Sequence, residues 1–338
     1  MSKTECTALR GLAIIAIVIH NFCHHIPNAV SENEFEFDIQ NTWNFWAKVF
    51  TSDCLLQIAS YWGYLGVPIF VFLSGYGLSQ KYDRMKHVKW LSYIKHNFFK
   101  LFVPLTSGTI IVCIILYNTV GEIYNPIYIY ILQCLMLLNL SANPQLIIPG
   151  PYWYFGMTMQ LYFLYRLLIH KHSESIILII AIAATFLMFP LEKHPDILRW
   201  CRYNAIGWLI PFSIGVILSR HSWFISILKK WPWTGLIALL IMLGISSLHY
   251  LLWLLTPIVA VFLAIFIVLL LSQKVIIHLA SIGSLSYTLF VIHPIVKLYV
   301  FPMVPKHGIW FCLILYLLIT LFCSIIVKKS KHFLQRRF

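Results

Sequence analysis

The chain has 338 residues, of which 60% are apolar and only 11% charged, with a formal net charge of +14. Such a composition excludes a soluble globular domain and leaves a polytopic helical membrane protein. The basic excess would suggest nucleic acid in a soluble chain, but here Lys and Arg cluster in short connections between apolar runs, where they act as topology signals; no nucleic-acid partner is expected, and the partner is the lipid bilayer.

The first apolar run, residues 8–26, holds Arg10, His20 and His24. It has no small-residue cleavage site after it, so it reads as a retained helix and not a signal peptide. Arg10 and His20 lie about 15 Å apart along a helix at ~1.5 Å per residue. At ~100° per residue His24 sits about 40° from His20, and Asn21 joins the same polar stripe. A guanidinium or imidazole in hydrocarbon costs several kcal/mol unless it faces a polar interior, so these residues are functional candidates. The alternative is that Arg10 snorkels to the surface and the histidines anchor the interface.

Further runs long enough to cross about 30 Å of hydrocarbon follow at 59–79, 100–118, 152–169, 175–190, 204–219, 233–249, 252–271, 279–300 and 308–327. The short run from Tyr128 to Leu140, which begins after Asn125 and Pro126, is decided by the positive-inside rule. If it spans, the clusters at Arg220, Lys229 and Lys230 and at the tail from Lys328 to Arg337 fall opposite to Lys81, Arg84, Lys86, Lys89, Lys95 and Lys100. If it is interfacial or re-entrant, nineteen of the twenty-five Lys and Arg residues fall on the cytoplasmic side, and Glu32, Glu34, Glu36, Asp38, Asp53, Glu122, Glu192 and Asp196 fall outside. The expected fold is therefore all-α, with ten transmembrane helices, both termini cytoplasmic and one short interfacial or re-entrant helix, in a single membrane domain over residues 1–338 with no fused soluble domain. The eight cysteines show no pairing or metal-ligand spacing and read as small hydrophobes, so no metal is expected. Most of the twelve tryptophans fall near the ends of the expected helices, as an aromatic belt does.

Three stretches carry a family resemblance. RGLAIIAIVIH, from Arg10 to His20, is similar to an Arg-Gly pair followed about ten residues on by His; in many members the spacing is one residue longer, so His20 and His24 compete for the catalytic position. GVPIFVFLSGYGLS, from Gly66 to Ser79, is similar to a Gly-Val-x-x-Phe-Phe-x-Leu-Ser-Gly-Phe signature through Phe70, Phe72, Leu73, Ser74, Gly75 and Tyr76, the most specific match in the chain. SIGSLSYTLFVIHPIV matches a Gly, Ser-Tyr and His-Pro pattern through Gly283, Ser286, Tyr287, His293 and Pro294. On these the chain resembles the acyltransferase 3 family of bacterial integral-membrane O-acyltransferases. Two departures stand out. Lys95 and Lys100 replace an Arg-rich segment, which keeps charge but loses the bidentate fork for phosphate. In PYWYFGMTMQLYFLY, Trp153, Phe155 and Tyr162 match but Thr158 stands where the family has glutamate.

The resemblance implies transfer of an acyl group, acetyl above all, from cytoplasmic acetyl-CoA or another acyl-CoA to a hydroxyl of an extracytoplasmic glycan or glycolipid, in the bacterial inner membrane. The donor is a substrate, with no cofactor held tightly. A neutral imidazole suits the role of general base, with His20 the first choice and His24 close behind. Arg10, Lys95 and Lys100 would hold the nucleotide's phosphates, unless the two lysines serve topology alone. Ser74 and Gly75 would line the donor path or pack helices closely. Trp153, Tyr154, Gln160, Tyr162, Tyr287 and His293 would meet the acceptor; for His293 a structural role at the Pro294 break is the alternative. Either the membrane unit completes the transfer or it hands the acyl group to a separate extracytoplasmic transferase. Two other classes stay open: a carrier or flippase for a lipid-linked saccharide, for which no internal symmetry is found, and a non-catalytic glycan-binding member, which Thr158 keeps alive.

Overall fold

The computed structural model describes every residue except 52, 86, 122–123 and 338, and additionally leaves out the side chains of 120, 222 and 331–337. Lys86 and Glu122, both counted in the charge argument above, and the basic side chains near the C-terminus lie outside the described residues. Among the described residues 81% are helical and none is in a strand. The helices are α1 (Lys3–Cys23), α2 (Ile39–Val49), α3 (Cys54–Trp62), α4 (Gly66–Tyr82), α5 (Trp90–Val120), α6 (Ile127–Cys134), α7 (Trp153–Leu164), α8 (Glu174–Phe186) and α9 (Pro195–Tyr203). They continue as α10 (Leu209–Arg220), α11 (Ser222–Leu228), α12 (Pro232–Ser246), α13 (Tyr250–Trp253), α14 (Thr256–Leu270), α15 (Gln273–Gly283), α16 (Ser286–Val300), α17 (Val304–His307) and α18 (Ile309–Arg337).

Among the described residues six helical stretches are long and apolar enough to cross a membrane: Lys3–Cys23, Cys54–Tyr82, Trp90–Thr119, Glu174–Lys193, Ser286–His307 and Ile309–Ser330. A seventh is the pair Pro195–Tyr203 and Ala205–Arg220, bent by 73°. The remaining expected spans are shorter as built. Pro232–Ser246 and Thr256–Leu270 have 15 residues each, about 22 Å at ~1.5 Å per residue. The run at 152–169 divides into the 12-residue α7 and a π-helical turn, Tyr165–Ile169. A window of apolar residues does not register such breaks, because hydropathy counts side chains and not backbone hydrogen bonds. Helix α6 has eight residues, too few to cross. Large apolar side chains stay exposed in helical register, as at Ile111, Ile114, Leu318, Phe322 and Ile325, the surface a lipid phase would cover.

The chain divides into two compact units. One comprises Met1, Asn33–Thr42 and Val67–Leu271. In it the α4 and α10 backbones touch, because a Cβ at Gly75 would collide with the Phe212 carbonyl and one at Gly215 with that of Phe72. Its core includes Met188, Leu198, Cys201, Tyr250, Trp253 and Leu254. The other unit comprises Ser2–Glu32, Trp43–Gly66 and Ser272–Phe338. Helix α1 starts with a reciprocal capping box between Ser2 and Glu5 and packs backbone to backbone on α15: Gly11 meets the Leu279 carbonyl and Gly283 that of Thr7. Phe45, Val49, Tyr61 and Val30 form a second core under the loop that follows α1.

Candidate active site

His20 is the buried polar residue of α1, 3% exposed. Its Nδ1 lies 3.2 Å from the Ala59 carbonyl on α3. A carbonyl only accepts, so Nδ1 carries the proton and Nε2 is left with its lone pair free to act as a base. Gly63, in the 3₁₀ turn that ends α3, makes this approach possible, since a Cβ there would stand 2.5 Å from the His20 Cβ. The Tyr64 ring meets His20 edge-on at 6.2 Å.

Helix α3 also pins the loop that leaves α1. Gln57 Oε1 accepts from the Val30 amide at 3.0 Å, and Ser60 Oγ donates to the Val30 carbonyl at 2.5 Å. Both side chains are fully buried in an apolar helix, where unpaired they would cost 1–3 kcal/mol each, by the usual order-of-magnitude penalty. The pinned loop brings Glu32 back toward α1, and its carboxylate lies within 4.8 Å of a His20 ring nitrogen. Burial holds the Glu32 carboxyl above the ordinary range, offset in part by its own backbone amide and by the charge of Lys297.

Beyond His20 the rings continue outward. His24 stacks on His20 at 4.6 Å and His25 lies 3.9 Å from His24. His24 Nδ1 donates to the His20 carbonyl at 2.9 Å, which leaves its Nε2 in the acceptor state as well. Lys297 of α16 donates to His25 Nδ1 at 2.9 Å. One turn earlier, His293 is 0% exposed. Its Nδ1 donates to the Leu289 carbonyl at 3.1 Å, and its Nε2 has no partner among the described residues. Tyr287, on the same helix, is 38% exposed. Arg10 is exposed on α1, with no side-chain hydrogen bond or ion pair among the described residues.

The other expected residues belong to the first unit. Lys95 is exposed, and the Lys100 ammonium lies 5.8 Å from the centre of the Tyr162 ring. Tyr162, expected with the acceptor, thus shares a level of the fold with a residue expected with the donor. Trp153 is buried against Trp208 and Tyr203, while Tyr154 meets Phe70 edge-on at 6.3 Å. Gln160 bridges Asn204 Oδ1, at 2.7 Å, and the Ala205 amide, at 3.0 Å, a structural brace between α7 and the turn after α9. Ser74 is half-buried, and Gly75 is the packing contact with Phe212 already described. Thr158 is buried and its hydroxyl has no partner among the described residues.

Sequence reasoning missed three features. Lys297 sits alone in an apolar helix, and a search for isolated charges in expected spans would have found it. Gln57 and Ser60 carried no pattern, because their partners are backbone groups of a distant loop. Asp83 is the lone acid in the basic stretch that starts at Lys81. It accepts from Tyr165 and Ser79, both at 2.7 Å, and pairs with Arg220 at 2.9 Å. Burial alone would raise its carboxyl, but those hydrogen bonds and the Arg220 charge hold it below the ordinary carboxylate value. Nearby, burial lowers the His170 imidazole, whose Nε2 donates to the Tyr82 carbonyl at 3.2 Å.

A family model described as an acyltransferase domain matches residues 5–328, nearly the whole chain. No curated protein and no solved structure matches the chain. With that match, and with six helices of membrane-crossing length among the described residues, the chain belongs to the acyltransferase 3 family and is a multi-pass membrane acyltransferase.

Proposed function

We propose that the protein is an O-acetyltransferase of the bacterial inner membrane, moving acetyl from cytoplasmic acetyl-CoA to a hydroxyl of an extracytoplasmic glycan or glycolipid. In this reading ten spans cross the bilayer, with both termini cytoplasmic and α6 at the interface, as the distribution of Lys and Arg indicates. The acceptor oxygen attacks the thioester carbonyl, His20 Nε2 takes the hydroxyl proton, and the carbon–sulfur bond breaks to release the thiolate of coenzyme A, which recovers a proton. Glu32 steadies the imidazolium that forms. On charge and topology, Arg10, Lys95 and Lys100 receive the phosphates of the donor. Tyr287 and His293, with Trp153 and Tyr154, are assigned to the acceptor or to helices that hold it.

The observation that carries the reading is the contact of His20 Nδ1 with the Ala59 carbonyl. A histidine whose Nδ1–H is committed to a backbone carbonyl, with a carboxylate close by, is poised to accept a proton at Nε2. The test is detergent-purified protein with radiolabelled acetyl-CoA, comparing wild type with His20→Ala, His24→Ala and Arg10→Ala for nucleotide binding and acetyl transfer. We expect His20→Ala to keep binding and lose about 10²–10⁴-fold in transfer, the usual worth of a general base, and Arg10→Ala to lose binding. Neither binding nor release by wild type, with bacterial glycolipid supplied, would overturn the reading in favour of a carrier.

A further inference from the structure

Lys297 is a charged residue in an otherwise apolar stretch of α16, half-buried, with the Phe301 ring 5.8 Å from its ammonium. An ammonium there needs partners. Among the described residues no carboxylate lies within ion-pair distance of it, and the Glu32 carboxyl interacts with its charge only from further off. Its ammonium lies against the ring of His25, 2.9 Å from Nδ1 and 3.4 Å from Nε2. An ammonium has three donors and no acceptor. One is spent on the His25 Nδ1 lone pair, so two N–H groups remain for something else. Because Nδ1 accepts, the imidazole proton of neutral His25 resides on Nε2, and the residue is exposed. The pair therefore presents donors only. A group made of acceptors only, a carboxylate or a phosphate, is its chemical complement.

Its position says which molecule would bring that group. His25 lies just past the end of α1, and the His24 ring stands between it and His20, 4.6 Å from the His20 ring and 3.9 Å from the His25 ring, so the two outer rings are at most about 8.5 Å apart. The separation suits one sugar residue rather than a thioester oxygen, which has to lie against the base itself. On the topology argued above, this end of α1 and α16 faces away from the cytoplasm, the side from which an extracytoplasmic acceptor arrives.

We propose that Lys297 and His25 form an anion subsite for the acceptor, and that the acceptor is an acidic saccharide whose carboxylate or phosphate lies about one sugar residue from the hydroxyl that reacts. The proposal rests on the transferase reading for the identity of the ligand, but its test does not use acetyl-CoA. Equilibrium binding of radiolabelled methyl glucuronide, glucose 6-phosphate and methyl glucoside is measured on the full chain in phosphatidylcholine nanodiscs, for wild type, Lys297→Gln and Lys297→Arg. Wild type is expected to bind the two acidic sugars at least tenfold more tightly than the glucoside, a difference of about 1.4 kcal/mol. Lys297→Gln is expected to erase that difference without changing glucoside binding, and Lys297→Arg to retain most of it. Equal affinity for acidic and neutral sugars in wild type, or an unchanged preference in Lys297→Gln, would overturn the subsite. So would displacement of the glucuronide by added phosphatidylglycerol, which would give the cation to a lipid headgroup. Because the readout is binding alone, failure of the separate acetyl-CoA assay described above would refute the transferase reading and leave the subsite standing.

Discussion

Substituting Gly63 by alanine tests whether the position of His20, and not merely its chemistry, sets the rate. The new methyl would stand 2.5 Å from the His20 Cβ, 3.1 Å from the Ala16 carbonyl oxygen and 3.2 Å from the His20 Cα. Carbon atoms in contact prefer ~3.5–4.0 Å, so α1 and the end of α3 must part by about 1 Å at this level. The bond from His20 Nδ1 to the Ala59 carbonyl, already 3.2 Å long, would then pass out of hydrogen-bonding range. A misplacement of ~1 Å costs on the order of 10²-fold in rate, while overpacking costs about 1–3 kcal/mol of stability. Transfer from radiolabelled acetyl-CoA, with thermal unfolding in the same detergent, separates the two effects. Gly77→Ala is the control: nothing lies within 4 Å of a Cβ at that exposed helical site, and replacing the glycine adds up to about 1 kcal/mol of helix stability. Wild-type turnover in folded Gly63→Ala would refute the claim that the α3 contact positions the base.

Asp83→Asn leaves Arg220 facing a neutral amide in a half-buried setting and is expected to lower stability by about 2 kcal/mol, read by thermal unfolding. Because the Asp83 carboxyl is held below its ordinary value, its stabilisation is fully present above an unfolded pKa of ~3.9 and is lost as pH falls through the lower folded value. Thermal scans below about pH 4 should therefore show a steeper acid loss in wild type than in Asp83→Asn. Thr158→Val removes a buried hydroxyl that has no partner among the described residues, so stability is expected to hold or rise slightly; a fall of more than about 1 kcal/mol would mean the hydroxyl is engaged. Gln57→Leu strands the Val30 amide at a cost of about 1–3 kcal/mol, and faster hydrogen exchange across residues 24–32, with slower transfer, is the expected signature. Unchanged exchange there would show that Ser60 alone holds the loop.

Helical class and the main polar positions of α1 are legible in the sequence because hydrocarbon penalises Arg10 and His20 so heavily that their presence is itself a signal. Six of the expected spans coincide with helices of crossing length. The runs at 233–249 and 252–271 are shorter as built, since Ser247 and Thr256 end or begin hydrogen-bonded turns that composition does not register. The choice between His20 and His24 is not legible either, because both lie on one stripe. Both commit Nδ1 to a carbonyl, His24 to that of His20 one turn back and His20 to that of Ala59, thirty-nine residues away in sequence. Lys297 and Asp83 escape motif reasoning for a similar reason: their meaning comes from side chains on other helices.

The partner that fixes the His20 tautomer is a main-chain oxygen, and this changes what genetics can see. No side-chain replacement at position 59 can delete that acceptor, so an alanine scan would pass over this neighbour of His20 in silence. Alleles that disable the protein without touching a polar group should instead gather at the spacers, Gly63 and Gly66, where added bulk moves one backbone relative to another. Inactivating changes at glycines in this turn would thus be evidence for a mechanism whose orienting group leaves no codon of its own to mutate.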